Sequence, residues 1–174
     1  MNSAFFASEA MLKALAQRLT ELLYDEFGTD VIQTNYHFEN VQKLELRYLT
    51  SLLGIEGEMQ ILVLFSFDES LIQSIFKIYS ADLDIEADEQ AMMLEETSGD
   101  LLNIVVGNVL TAFSQKGVST SFSPPITLTE AKSIVRHKEA MFNVAELTTL
   151  QGMVSIFCVA PKSLFDQQLN YMGT

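Results

Sequence analysis

One long helical pattern constrains the fold of this chain more than any other feature of its sequence. Between residues 88 and 116 apolar residues recur at helical spacing, with Asp88 placed to cap the start and Gly117 as a typical end. At about 100° per residue, the core-facing positions fall on one broad side. These positions are Leu94, Ser98, Leu102, Val105, Val109, Ala112 and Phe113. We therefore expect this helix to lie lengthwise on a hydrophobic core.

Alternating apolar and polar residues predict strands on both sides of this helix. Leu44, Leu46 and Tyr48 begin one alternation, a turn is expected over residues 54–57, and residues 59–67 resume the alternation. This arrangement predicts a β-hairpin over residues 44–67. Further strands are expected at 31–34, 140–148 and 152–160.

Shorter helical patterns complete the predicted architecture. Residues 8–27 form one helix with Ser8 as its N-cap, and others are expected from residue 68 or 70 to residue 79 and over 161–170. Pro124 and Pro125 exclude a helix where they stand. No linker or repeat divides the chain. We expect a single α+β domain over residues 1–174, in which two long helices pack on an antiparallel β-sheet.

The charge of the chain argues against two classes of partner. Its formal net charge is −13. Binding to nucleic acid needs cationic side chains that replace the counterions of the phosphates, and an anionic membrane surface also attracts cationic segments. The sequence therefore predicts neither a nucleic-acid-binding protein nor a membrane-surface protein.

The sequence also predicts a cytoplasmic location. Its start has no cationic segment followed by a sustained apolar stretch, and its longest apolar run, Ile61 to Phe65, is too short to span a membrane. The one cysteine, Cys158, lies within an apolar run and is expected to be a small buried hydrophobe. A single cysteine without a disulfide partner fits a reducing compartment.

The polar side of the long helix carries the candidate functional residues. They recur at spacings of three and four: Glu96, Asp100, Asn103, Gly107, Thr111 and Ser114. Like charges at Glu96 and Asp100 cost a few tenths of a kcal/mol in an isolated helix, and Gly107 costs about 1 kcal/mol relative to alanine. A glycine there would also let the backbone of a partner approach. The pattern alone fits either a docking face or a solvated face with a tolerated glycine.

A short motif on this face resembles the signature of the CheX/CheC/FliY family of chemotaxis phosphatases. The residues that carry the resemblance are Gly-Asp-Leu-Leu-Asn-Ile-Val-Val-Gly over 99–107, followed by Ser123, Pro124 and Pro125. The family has Glu-x-x-Asn on a long helix and a proline twenty-two residues after the asparagine. Here Asn103 and Pro125 match these places and Asp100 stands at the glutamate position. The predicted hairpin upstream is also similar, so the resemblance covers residues 54–125 and implies a CheC/CheX-like fold.

The resemblance implies a function in two-component chemotaxis signalling. Family members are hydrolases that dock a phosphorylated CheY-type response regulator and accelerate hydrolysis of its phospho-aspartate. Asn103 would then orient the attacking water, Asp100 would pair with the conserved lysine of the receiver domain, and Glu96, Gly107 and Thr111 would contact it. The receiver would supply Mg²⁺, so no cofactor of the chain's own is expected. The predicted helix over 8–27 has no asparagine, and a single motif per chain resembles CheX, which implies a homodimer.

One departure from the family keeps other functions open. Asp100 is shorter than glutamate by one methylene, or about 1.5 Å of reach, and a misplacement of about 1 Å can cost on the order of 100-fold in rate. The helix could dock closer at Gly107, Glu96 could take part, or activity could be weak. The alternatives are a non-catalytic adaptor that binds a receiver or another signalling protein through this face, and a small-ligand sensor with a pocket between helices and sheet.

No metal site is predicted from the sequence. Residues 82–93 begin like a calcium-binding loop, but Ala87 replaces the required glycine and Met93 the bidentate glutamate. His37 and His137 are isolated from other metal-ligating residues along the sequence.

Overall fold

The computed structural model describes residues 3–38, 41–136 and 140–161, with side chains from Ser8 onward. The helices are α1 (Ser3–Phe27), α2 (Glu69–Tyr79) and α3 (Gln90–Ser114). The strands are β1 (Val31–His37), β2 (Lys43–Glu45), β3 (Leu49–Gly57), β4 (Ile61–Phe67), β5 (Thr120–Phe122), β6 (Ile126–Leu128), β7 (Ser133–Val135), β8 (Met141–Thr149) and β9 (Gly152–Ala160).

The strands form one large antiparallel sheet and one small one. The large sheet has the order β1-β8-β9-β4-β3-β5, and β6 pairs with β3 on the same edge as β5. Strands β2 and β7 form a separate antiparallel pair. Helices packed on an antiparallel sheet confirm the predicted α+β class.

The core lies on both faces of the large sheet. On one face, α1, α2 and α3 bury apolar side chains against β3, β4, β8 and β9. On the other face, a second cluster includes Leu44 of β2 and Ile134 of β7, so the small sheet covers this side. Every residue of β4 is buried, as expected for a strand covered on both faces. The prediction of two helices on the sheet was incomplete, because α2 packs there as a third.

The predicted hairpin over 44–67 is only partly correct. Strands β3 and β4 pair as expected, but Gly54 is a strand residue opposite Leu62, and the chain turns over residues 58–60. The strand continues past Gly54 because β5 pairs with its other edge, where Gly57 lies opposite Thr120. Gly57 has φ 109°, and an added Cβ would lie 2.6 Å from the carbonyl oxygen of Ser119. This close approach, rather than a turn, requires the glycine. Lys43–Glu45 belong to the small sheet instead.

Both predicted helix caps were wrong. Helix α1 begins at Ser3, and the buried Ser8 is hydrogen-bonded through its hydroxyl to the side-chain amide of Asn143 at 3.0 Å. Helix α3 begins at Gln90, so its N-cap position is Glu89 rather than Asp88, and it ends at Ser114. The start of α1 was missed because the hydroxyl of Ser8 is satisfied by a distant strand rather than by its own helix.

The remaining sequence predictions are largely confirmed. Strands β1, β8 and β9 occupy the expected segments, although β1 runs on to His37, and α2 ends at Tyr79. Cys158 is fully buried, and burial raises the pKa of its thiol. In the ranges given above, no helix is both long and apolar enough to cross a membrane. The helix predicted over 161–170 lies outside the described residues.

Candidate functional site

Helix α3 is fixed to the large sheet along its apolar side. Leu102 and Val105 are fully buried, and the hydroxyls of Ser98 and Ser51 in β3 are hydrogen-bonded at 2.6 Å within the core. The core side was predicted correctly except for Ala112, which is exposed. The buried arc is completed instead by residues that the helical wheel left out, namely Leu101, Val106 and Leu110.

A broken edge strand runs beside α3. Strands β5 and β6 pair with the same edge of β3 and are separated by Ser123, Pro124 and Pro125. The prolines have no N–H to continue the ladder. The N–H of Ser123 donates to the carbonyl of Gly54, and the N–H of Gly54 donates to the hydroxyl of Ser123, both at 2.9 Å. Ser123 therefore holds the edge in place just before the prolines.

Two glycines of α3 face this edge, and Gly99 lets it come close. A Cβ added at Gly99 would lie 3.3 Å from Cγ of Pro125, and one added at Gly107 would lie 3.7 Å from Cζ of Phe122. Asn103 lies midway between them in sequence, and residues four apart stack on one helix face. The proline of the motif therefore packs against α3 at Gly99, one helical turn before the asparagine.

Asn103 carries unused hydrogen-bonding capacity. Its side chain is partly exposed, yet Oδ1 is buried and has no hydrogen-bond partner among the described residues. A buried polar atom in this state costs about 1–3 kcal/mol. Such an atom in a native fold needs an explanation, and action on a ligand is one of the recurring explanations.

Asp100 is held by a residue that the sequence analysis missed. The hydroxyl of Tyr79, the last residue of α2, donates a hydrogen bond to Oδ2 of Asp100 at 2.8 Å. This hydrogen bond raises the pKa of Tyr79, with smaller contributions from burial and from the negative charges of Asp100 and Glu96. Tyr79 therefore remains a neutral donor at neutral pH. No sequence signal pointed to it, since the contact depends on how α2 packs beside α3.

The structure brings the other predicted site residues to the same side of α3. Glu96 and Thr111 are exposed and Gly107 is partly exposed. The hydroxyl of Thr111 donates to the carbonyl of Gly107 at 2.8 Å, so it is engaged within the helix. One surface, here called the motif face, is thus formed by Asp100, Asn103, Glu96, Gly107 and Thr111. The roles assigned to these residues from the sequence stay predictions.

Exposed apolar side chains surround the acidic and amide groups of the motif face. Those with large exposed fractions are Tyr79, Met92, Ile104, Phe122 and Ile126. A groove of about 480 Å³ between the first half of α3 and β6 is lined by Met92, Glu96, Asp100, Pro125 and Ile126, among others. Large exposed apolar side chains grouped beside polar ones mark surfaces that interact with other proteins.

Metal ligands are not clustered in the part of the chain that the structure describes. There, His, Cys, Asp and Glu side chains form no group of three or more that could hold an ion. His37 pairs with Glu146, with Nε2 to Oε2 at 3.4 Å, while His137 lies outside the described residues. The expectation that the chain has no cofactor of its own stays a prediction.

Comparisons with known proteins agree with the family resemblance and with the fold. The sequence model of the family described as chemotaxis phosphatase CheX matches residues 49–146, which include both strands of the hairpin and all of the motif face. None of the curated proteins searched matches the chain.

Several solved structures share the fold at low sequence identity. The chemotaxis protein CheX from Desulfovibrio desulfuricans superposes with a TM-score of 0.71 at 14% identity, covering 86% of this chain and 97% of that one. A CheC-like superfamily protein from Shewanella sp. PV-4 gives 0.65 at 18%, with 91% and 98% coverage. The CheX–CheY–BeF3–Mg²⁺ complex from Borrelia burgdorferi gives 0.62 at 13%, with 84% and 96% coverage.

The two glycines that face the broken strand should respond differently to alanine. Gly107→Ala adds a Cβ at ordinary contact distance from Phe122 and improves helix propensity, so the free energy of unfolding should rise by up to about 1 kcal/mol. Gly99→Ala presses on Pro125, which is fixed in the sheet edge, so this variant should be less stable than Gly107→Ala by at least about 1 kcal/mol. Urea unfolding measures both, and the reverse order would contradict the packing described here.

Proposed function

Because the chain belongs to the CheX family of chemotaxis phosphatases, we propose that it docks a phosphorylated CheY-type receiver domain and accelerates hydrolysis of its phospho-aspartate. The observation that carries this proposal is the presence of Asp100 and Asn103 together on the motif face, with Oδ1 of Asn103 buried and unpartnered within the described residues. The complex of CheX with CheY from Borrelia burgdorferi supports a receiver as the partner. The proposal includes the cytoplasmic location expected from the sequence, where such a partner would be met.

The proposed reaction is a displacement at phosphorus. The oxygen of water bonds to phosphorus while the bond from phosphorus to the aspartyl oxygen breaks, which releases inorganic phosphate and restores the receiver's aspartate. Such a step needs positioning and charge stabilisation more than a protein nucleophile. Asn103 can hold the water by an amide hydrogen bond without adding charge beside the phosphoryl group. The Mg²⁺ would be held by the receiver.

The charge of the motif face suits a cationic group on the partner. Asp100 and Glu96 lie one helical turn apart, and within the described residues neither forms an ion pair with a cationic side chain. Their mutual repulsion is relieved when a cation approaches. A lysine of the receiver, placed against Asp100, would supply that cation. The exposed apolar residues around it would supply the buried area of the interface.

The adaptor alternative is favoured by one observation, the shorter acid at position 100. If the docked lysine needs the reach of a glutamate, the face would bind without catalysing. The small-ligand alternative has a candidate site in a groove of about 490 Å³ between α2, the start of α3 and the segment that follows β6, lined in part by Gln73, Phe76 and Lys132. Stable receiver binding without faster hydrolysis would select the adaptor, and ligand binding without receiver binding would select the sensor.

Asn103→Ala should abolish the acceleration of receiver dephosphorylation. Without the amide the water is not oriented, and a rate loss on the order of 100-fold is expected. Asn108→Ala is the matched control, since Asn108 is an exposed asparagine of the same helix whose amide donates to its own backbone at Ile104. The lifetime of a radiolabelled receiver phospho-aspartate measures both. Undiminished acceleration by Asn103→Ala, or an equal loss in Asn108→Ala, would contradict the assigned role.

The two acids of the motif face should differ in their effect on the same rate. Asp100→Asn removes the charge proposed to meet the receiver's lysine, so at least about a tenfold slower hydrolysis is expected. Glu96→Gln should change the rate by less than about threefold, because an exposed charge one turn away contributes weakly. A larger effect at Glu96 would show that this residue, rather than Asp100, takes the place of the family's glutamate.

We also propose that the protein is a homodimer, as expected from its single motif. Among the described strands β1 pairs only with β8, and its exposed residues include Ile32 at 58% and Tyr36 at 38%. An edge strand with apolar side chains favours pairing with a second chain. Ile32→Lys should therefore convert a sedimenting dimer to a monomer, while Val135→Lys, at an exposed valine of β7, should not. A monomeric wild type at high micromolar concentration would contradict the dimer.

A further inference from the structure

The end of α2 is built so that Tyr79 reaches α3 in a fixed position. Leu71, Ile72 and Ile75 of α2 are buried in the same core as α3. The helix ends at Tyr79, and the hydroxyl and the N–H of the C-cap residue Ser80 both donate to the carbonyl of Phe76, at 2.7 and 2.9 Å. The backbone of Tyr79 is therefore set by packing on one side and by a closed helix end on the other.

The hydrogen bond from Tyr79 to Asp100 is not needed to hold the two helices together. The buried side chains of α2 already provide that contact. Tyr79 is 41% exposed, and its hydroxyl lies at the surface on the carboxylate of the motif face. Bonds to an ionised group are shorter and stronger than bonds between neutral groups, so this one restricts how the carboxylate can rotate. Its effect falls on Asp100 rather than on the fold.

We propose that Tyr79 is a positioning residue for Asp100: it holds Oδ2, which leaves Oδ1 for the lysine of the docked receiver. This inference rests on the proposed phosphatase function. A short acid has less reach than a glutamate, so its rotamer must be correct for the pair to form. Tyrosine loses only two side-chain torsions when it is fixed, which makes it a suitable rigid support.

The contact in the free protein is tested by the ionisation of Tyr79. The variants are Tyr79→Phe, Asp100→Ala and the double variant, with Tyr24→Phe as control because Tyr24 is an exposed helical tyrosine of α1. Ultraviolet titration of tyrosinate should show one component that is lost in Tyr79→Phe and that titrates at lower pH in Asp100→Ala, since the raised pKa of Tyr79 depends on Asp100. An unmoved component would overturn the inference and leave the proposed function standing.

The positioning role is tested by hydrolysis of the receiver phospho-aspartate at saturating protein. Tyr79→Phe should slow the step by about tenfold, because a freely rotating Asp100 is misplaced for part of the time. In the Asp100→Ala background the same change should have no further effect, a coupling that a merely structural tyrosine would not show. Tyr24→Phe should match the wild type.

The remaining outcomes distinguish a failure of the positioning role from a failure of the proposed phosphatase function. Wild-type hydrolysis in Tyr79→Phe would overturn the positioning role alone. Additive losses from Tyr79→Phe and Asp100→Ala would also overturn it, since the tyrosine would then act independently of the acid. A wild type that never accelerates hydrolysis would overturn the phosphatase and the positioning role together, while the titration would still report whether the contact exists.

Discussion

The candidate site depends on the contact between α3 and the broken edge strand of the sheet. On its buried side the helix is held by the core and by the hydrogen bond between Ser98 and Ser51. On its other side, Gly99 lets Pro125 approach, and Gly107 faces Phe122. A helix held along both sides cannot rotate about its axis, because close-packed side chains resist displacement. The helix that carries Asn103 is thus positioned by residues 122–125 as well as by the core.

Local patterns predicted the parts of the fold that are settled by neighbours in sequence. The periodicity of α3 reflects which face of the helix is buried, and it is repeated over many residues. Strands β8 and β9 are apolar runs that are buried over most of their length. Strands β5, β6 and β7 were missed because three residues each are too few to show a period. Their existence depends on partners far along the chain, such as Gly57 opposite Thr120. A partner far along the chain, Asn143, also explains why Ser8 was wrongly predicted to cap a helix.

The residues of the candidate site also fall into two groups, those that a sequence pattern reveals and those that only the folded structure reveals. Asp100 and Asn103 could be found because their spacing and the later proline form a linear motif, and the buried position of Leu102 followed from the wheel. Tyr79 could not be found, because only the packing of α2 against α3 brings it to Asp100. Gly107 was interpreted as space for a partner, and the structure adds a neighbour within the chain, the ring of Phe122. Spacing along a helix shows which residues share a face, but not what another element places above that face.

Among the locally unfavourable features of the motif face, only some point to function. Gly99 is accounted for by Pro125. Gly107, where an added Cβ would make only an ordinary contact with Phe122, and the buried Oδ1 of Asn103 have no such account within the described residues. Asp100 differs from both, because its carboxylate has a partner, the hydroxyl of Tyr79, that does not compensate its negative charge. A lysine or arginine in place of Tyr79 would also hold the carboxylate, but it would compensate the charge and compete with a cation on the partner. A tyrosine whose pKa is raised stays protonated, so it fixes the geometry of the acid and leaves its negative charge available. A neutral support is therefore the arrangement expected where the acid must still attract a lysine from another protein.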